Sequence, residues 1–456
     1  MPRPFSVIAR GPTRRRLWVG SGCVGLFIVT LAVFYAMLPK TPHREGISGM
    51  DFIAFYTAGT FVREGRSRDL YNLHTIGGFQ HELAHQQGDD LGQAIGPWWN
   101  PPYYAWLFVP FARLPYTVAL TRWIICNVLC AAVAATILAL WVRRAAAPGR
   151  ATDAPWTSRA SAWGLVPVLL VLSTPFIHAL SHAQNTCTSL LLLTFVVAAW
   201  RREMPLLAGL LLGLLAYKPQ LAALMAAIMT ICLGWRVLVG LAITGAALLG
   251  VTVLTLPGTL GDFGQRLPLN LHFVLFETPY LWDRHVTFRA FWRLLFQGYA
   301  TGESKTLVVV LTSLCCIGLG AFLFAAALRT RQAKAHLPTN GRRFDRMIAA
   351  TIVVTPLLMP FYFDYDQLLL AIPAVLLAVE MLERPERRWS WVIALWSVWY
   401  GWLMINPDVA SLTHVNGTVI LLAALGTAMV SRAMQAANVP AQSVEESFAR
   451  PRALAA

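Results

Sequence analysis

Residues 306–328 read TLVVVLTSLCCIGLGAFLFAAAL, an apolar run without one charged side chain. A helix rises about 1.5 Å per residue, so this run is long enough to cross the roughly 30 Å hydrocarbon core of a bilayer. Residues 17–38, 123–142 and 237–257 share the property. The first of these is too long for a signal-peptide core, and no small-residue cleavage site follows it, so it is expected to persist as a helix. Shorter apolar segments at 163–181, 186–200, 205–217, 219–235, 347–361, 367–382, 389–405 and 415–431 raise the expected total to about twelve spans.

Composition agrees with the spans. Of 456 residues, 57% are hydrophobic and only 13% charged, and the mean hydropathy is +0.55. Soluble domains carry about 25% charged residues. The deficit excludes a soluble globular enzyme, a disordered chain and a disulfide-framed secreted domain, and it leaves an all-α polytopic membrane protein. All seven cysteines lie in apolar stretches or at their edges and read as small buried hydrophobes. The formal charge of +15 reads as a topology signal rather than a nucleic-acid surface.

Sidedness follows from that charge. If the N-terminus with Arg3, Arg10, Arg14, Arg15 and Arg16 is cytoplasmic, strict alternation puts roughly two thirds of the 37 Lys and Arg on the cytoplasmic side. The expected organisation is a basic cytoplasmic segment over 1–16, one multi-pass inner (plasma) membrane domain over 17–431 and a disordered cytoplasmic tail over 432–456. Two long outer loops, 39–116 and 258–305, make the extracytoplasmic face the working surface. No internal repeat marks the chain as a duplicated transporter.

The first outer loop contains ISGMDFIAFYTAGTFV over 47–62, in which Asp51 is the sole ionisable group. Phe52, Phe55 and Tyr56 share one side of a helix expected to lie amphipathically in the membrane interface. Asp51 is then either the cap of that helix or a carboxylate held where water is scarce, which suits a general base. His81-Glu82-Leu83-Ala84-His85 in the same loop matches a zinc-binding pattern, and Gly88 extends the match. The position for a third ligand is Leu91, however, so these histidines are expected on a solvated face, with no metal.

Charges near membrane depth form the second set of candidates. Lys218 follows the apolar segment 205–217, which is too short to span; it either snorkels from a shallow hairpin or faces a cavity able to attract phosphate. His285, Arg289 and Arg293 are spaced i, i+4, i+8 and are expected on one helical stripe, facing either a lipid phosphate or water. Asp364 and Asp366 occupy a very short outer turn, and His178, His182, Gln184 and Asn185 line another, where helix capping is the competing explanation. No Gly-rich phosphate loop follows a strand, so a donor would be membrane-embedded and not a nucleotide sugar.

Several segments, in order, resemble glycosyltransferase family 87. They are MDFIAFYTAG with DLYN, WNPPYYAWLFVPFARLP, HAQNTCTSLLLL, LLLGLLAYKPQ and TPLLMPFYFDYDQLLLAIP, covering roughly residues 47–373. The resemblance implies a GT-C-type helical bundle that moves a sugar, such as mannose, from a polyprenyl-phosphate donor to a hydroxyl of a lipid or glycan acceptor. It implies no cofactor. Asp51 matches the family acid expected to deprotonate the acceptor, and Lys218 matches the family lysine. Charge makes Arg289, Arg293 and His285 helpers for the donor phosphate, with Tyr56, Gln184, Asp364 and Asp366 as further substrate contacts. A lipid-linked glycan ligase or polymerase and a transporter of envelope precursors remain the alternatives.

Overall fold

The computed structural model describes residues 51–92, 94–145, 157–335, 344–383 and 390–437. The expected span 17–38, the basic N-terminus and the tail beyond residue 437 lie outside the described residues. The helices run α1 (Phe52–Arg63), α2 (Leu73–Gln86), α3 (Tyr116–Ala145), α4 (Thr157–Val171), α5 (Thr174–Ser181) and α6 (Thr186–Arg201). They continue with α7 (Pro205–Leu214), α8 (Pro219–Leu233), α9 (Arg236–Thr255), α10 (Thr259–His272), α11 (Phe288–Gln297) and α12 (Thr306–Gln332). The chain closes with α13 (Asp345–Leu358), α14 (Ala371–Glu383), α15 (Ser390–Trp402), α16 (Asn406–Thr413) and α17 (Gly417–Ala437). Among the described residues the extended pairing is one isolated antiparallel bridge, His285 with Phe363.

Every apolar segment read from the described sequence is helical, and among the described residues five helices meet the length and hydropathy needed to cross a bilayer. These are α3, α9, α12, the continuous stretch Asp364–Glu383 and a helix over Gly417–Gln435; a sixth arises if α4 and α5, bent by 56°, form one span. The expected count of about twelve also includes 17–38, outside the described residues, and segments that form shorter apolar helices, among them Thr186–Arg201, Pro205–Tyr217 and Pro219–Leu233. Ser173 caps α5 by accepting from the Phe176 N–H, which ends α4 early. Pro219 separates α7 from α8, and Gly234 at φ 100° closes α8. The last helix runs past residue 431 to Ala437, into the segment expected to be tail.

Small residues set the closest helix crossing. A Cβ on Gly209 would overlap the carbonyl of Val237, and one on Gly240 would overlap the carbonyl of Leu206. The backbones of α7 and α9 therefore touch, and Thr244 donates to the Leu210 carbonyl at 2.9 Å across the same seam. Helix α12 instead turns Leu314 and Ile317 outward, a surface suited to hydrocarbon. Helix α13 is buried along nearly its whole length and forms the bundle's centre.

The segment read as the first outer loop departs from expectation. Helix α1 is enclosed by protein, not laid in the membrane interface, because its apolar residues occupy every side of the helix. Phe55 stacks on Phe108 with ring centroids 4.6 Å apart, and Trp123 of α3 packs against Phe52, Phe55 and Phe108. This aromatic block fixes the start of α1, and with it Asp51, against the end of α3.

Candidate active site

One short stretch, residues 178–186, reaches every carboxylate of interest. It begins in α5, passes through a tight turn and enters α6. The turn has Schellman-type bonding, with the Ala183 N–H to the Leu180 carbonyl and the Gln184 N–H to the Ala179 carbonyl. Ala183 takes φ 50°, a left-handed conformation that is unfavourable for a residue with a Cβ. Trp123 Nε1 donates to the Ala183 carbonyl at 2.8 Å and braces the turn. Side chains on either side of Ala183 are thereby aimed at the same end of the bundle.

Gln184 Nε2 donates to Asp51 Oδ2 at 2.7 Å. Asp51 precedes α1 at the cap position, yet its side chain makes no capping bond, so the cap explanation does not account for the carboxylate. It is partly exposed and lies within electrostatic reach of His182, Arg284 and Tyr365. Asn185 Nδ2 donates to the Tyr104 hydroxyl at 3.1 Å, and the Tyr104 ring stacks on Tyr217 at 4.4 Å.

Lys218 stands at the break between α7 and α8 and pairs with Asp366 at 2.6 Å. Thr186 donates to the same Asp366 oxygen at 2.8 Å. Lys218 therefore neither snorkels outward nor faces an empty pocket; its charge is already matched by a carboxylate. Asp364 is held by Arg284 through both carboxylate oxygens, at 2.9 and 3.1 Å, with His178 Nδ1 at 3.4 Å. Burial opposes the Arg284 charge, but Asp364 beside it holds the guanidinium pKa above its ordinary value.

Arg284 is the functional candidate that sequence reasoning passed over. It sat unnoticed in a run with His285, Arg289 and Arg293. Charge balance was the available signal: Asp51, Asp364 and Asp366 all stand in apolar surroundings, and Lys218 alone cannot match them.

The expected basic stripe is shorter than its spacing suggested. Thr287 accepts from the Ala290 N–H at 3.0 Å, so α11 begins at Phe288 and His285 lies outside it in extended chain. His285 Nε2 meets the Tyr280 hydroxyl at 2.8 Å, and its Nδ1 accepts from the Tyr362 N–H at 3.3 Å. Burial lowers its pKa to about 3, so it contributes no positive charge at neutral pH and instead pins the loop before α11 to residues 361–363. The expected placement of His285 on one helical stripe with Arg289 and Arg293 is thereby corrected.

Arg293 and Arg289 divide their work. Fully buried Arg293 donates to the carbonyls of Ala300, Gly302 and Glu303 at 2.8 to 2.9 Å, which fixes the following loop. Arg289 sits 5.4 to 5.7 Å from the ring centroids of Phe276, Trp282 and Phe361, a cation–π enclosure. Burial lowers its pKa from the ordinary value. Among the described residues no hydrogen bond or ion pair engages its guanidinium, so its donors are open to an anion.

Tyr56 and the HELAH segment lie outside the cluster. Tyr56 directs its hydroxyl to the Leu114 carbonyl at 2.8 Å and serves the packing of α1. Glu82 of the HELAH segment accepts from Gln86 at 3.0 Å on α2, and among the described residues no third ligand joins His81 and His85.

A family model, Glycosyltransferase family 87, matches residues 98–360. No curated protein and no solved structure matches the chain. The matched segment carries Gln184, Lys218, Arg284 and Arg289, while Asp51, Asp364 and Asp366 flank it on either side. A match over more than half of a chain with several membrane-length apolar helices identifies a membrane glycosyltransferase: this protein belongs to glycosyltransferase family 87.

Proposed function

We propose that the protein transfers a sugar, a hexose such as mannose, from a polyprenyl-phosphate donor to an acceptor hydroxyl of a lipid or glycan on the extracytoplasmic face. Asp51 is the general base in this reading. It takes the acceptor proton as the hydroxyl oxygen attacks the anomeric carbon from the side opposite the phosphate. The carbon–phosphate oxygen bond breaks, the anomeric configuration inverts, and polyprenyl phosphate leaves. Positive charge around the departing phosphate lowers the barrier most when it is fixed beforehand.

The observation that carries the reading is the contact between Gln184 and Asp51, which ties a partly exposed carboxylate to the turn that also bonds Asp366 and Arg284. Arg289 supplies the open guanidinium for the phosphate, and Lys218 becomes a second charge once substrate competes for Asp366. Arg293 and His285 hold the segments that carry Arg289 and Arg284.

The test uses the full chain in nanodiscs with a synthetic polyprenyl-phosphate sugar and a panel of lipid acceptors. Transfer is expected for the wild type and lost in Asp51→Asn, with an unchanged melting temperature. Full activity in Asp51→Asn removes Asp51 as the base. Sugar accumulation in proteoliposomes without any lipid donor supports the transporter instead.

A further inference from the structure

We propose that His182 is a positioning residue: as a neutral imidazole it accepts a hydrogen bond from Arg284, holds that guanidinium on Asp364, and makes the charged cluster sensitive to one proton. The inference rests on the transfer reading only for its effect on activity; the protonation state of the ring is independent of it.

The two ring nitrogens have different neighbours, and these assign the tautomer. Nδ1 lies 2.9 Å from the His178 carbonyl, and 3.2 Å from the Ser181 hydroxyl. A carbonyl oxygen only accepts, so Nδ1 carries the proton. Nε2 lies 2.9 Å from an Arg284 terminal nitrogen. A guanidinium only donates, so Nε2 presents its lone pair. A second proton on the ring would set an N–H against an N–H and two positive charges side by side.

The other groups facing the ring do not reverse this. Asp51, from the segment before α1, and Asp364 both favour a charged imidazole. Burial and the Arg284 charge act against it more strongly and lower the His182 pKa. His178 lies one helical turn back, with ring centroids 6.2 Å apart, and the Tyr365 ring is at 6.1 Å. Arg284 is thus fixed by Asp364 on one edge and His182 on another. Phe363 and Tyr365 lie 5.9 and 5.8 Å from its central carbon. Loss of the lone pair on Nε2 removes one arm of this support and repels the guanidinium from the carboxylate it holds.

The experiment compares wild type, His182→Leu and His182→Gln in nanodiscs between pH 5 and 8. Transfer from a polyprenyl-phosphate sugar is measured beside 15N spectra of the histidine-labelled protein. Leucine removes the acceptor and is expected to lower kcat about tenfold at pH 7.5–8, in line with the loss of one charge-assisted hydrogen bond, with the gap to the wild type closing toward pH 5 as the wild-type ring takes up a proton. Glutamine can place an amide oxygen near Nε2 and cannot titrate. It is expected to rescue most of the leucine defect and to flatten the acid limb seen in the wild type below pH ~6.5. The wild-type spectrum should show His182 neutral with its proton on Nδ1 at pH 7.5. An unchanged acid limb in His182→Gln overturns the proposal, as does a wild-type ring charged or protonated on Nε2 at pH 7.5. If the wild type transfers no sugar, the functional reading fails, and the spectra still decide the state of His182.

Discussion

Lys218 and Asp366 lie 2.6 Å apart although 148 positions separate them in the chain. Both side chains are largely buried, with 15% and 11% exposure. Removing one partner strands the other charge, whereas removing both leaves an apolar contact. Asp366→Leu should therefore destabilise by about 3–5 kcal/mol. The Lys218→Met, Asp366→Leu double variant should recover much of that loss. Thermal unfolding of the wild type, the two single variants and the double variant in the same detergent measures the coupling, and a double-variant loss equal to the sum of the single losses would show that the pair is not energetically joined.

Gln184 offers a cleaner separation of activity from stability. Its amide donates to a partly exposed carboxylate, so the folded state depends little on it. Gln184→Leu should lower kcat about 10- to 100-fold, the range expected for a hydrogen bond to a charged group worth ~1.5–3 kcal/mol. The melting temperature should stay within a few degrees. Gln184→Glu should be worse, because it places a second carboxylate beside Asp51. Steady-state kinetics on a polyprenyl-phosphate sugar tests both.

Acid should weaken the fold through His285. Its pKa is about 3 in the folded protein against an ordinary 6.5, so between those values the unfolded chain binds a proton that the folded chain does not. The stabilisation is complete above pH 6.5 and drains away as pH falls toward 3, by about 1.4 kcal/mol per pH unit. Melting temperatures measured from pH 4 to 7 should fall on acidification. The slope should be shallower in His285→Gln, even though that variant starts from a lower value.

The seam between α7 and α9 should tolerate no side chain. Gly209→Val and Gly240→Val each force a backbone-to-backbone contact apart, with a cost at the upper end of the 1–3 kcal/mol typical of overpacking, or above it. Gly250, which has open space around its missing Cβ on the same helix α9, is the control, and Gly250→Ala should leave the melting temperature unchanged or slightly raised.

Charge-free runs made α3, α9 and α12 legible in the sequence, because a helix in hydrocarbon must exclude charge locally along the chain. Helix ends were less legible where a single residue interrupts an apolar run. Ser173 and Gly234 end helices through backbone geometry that hydropathy does not register. Asp51, Gln184, Asp364, Asp366, Lys218 and Arg289 were all legible as polar groups in unfavourable surroundings. Their pairing was not, since Arg284 meets Asp364 across 80 positions and Gln184 meets Asp51 across 133. His285 misled because regular spacing implies one helix only if nothing starts that helix later, and Thr287 does. Arg289 and Arg293 look alike in sequence, and only the loop carbonyls of residues 300–303 distinguish them.

The segment from His178 to Thr186 hands out its contacts from set positions: His178 toward Asp364, His182 to Arg284, Gln184 to Asp51, Asn185 to Tyr104 and Thr186 to Asp366. Inserting or deleting one residue there would rotate each following side chain about 100° around a helical axis and misdirect all of them together. Most loops absorb length changes; this one has no slack to do so, and its length is as strict a requirement as the identity of any residue in it.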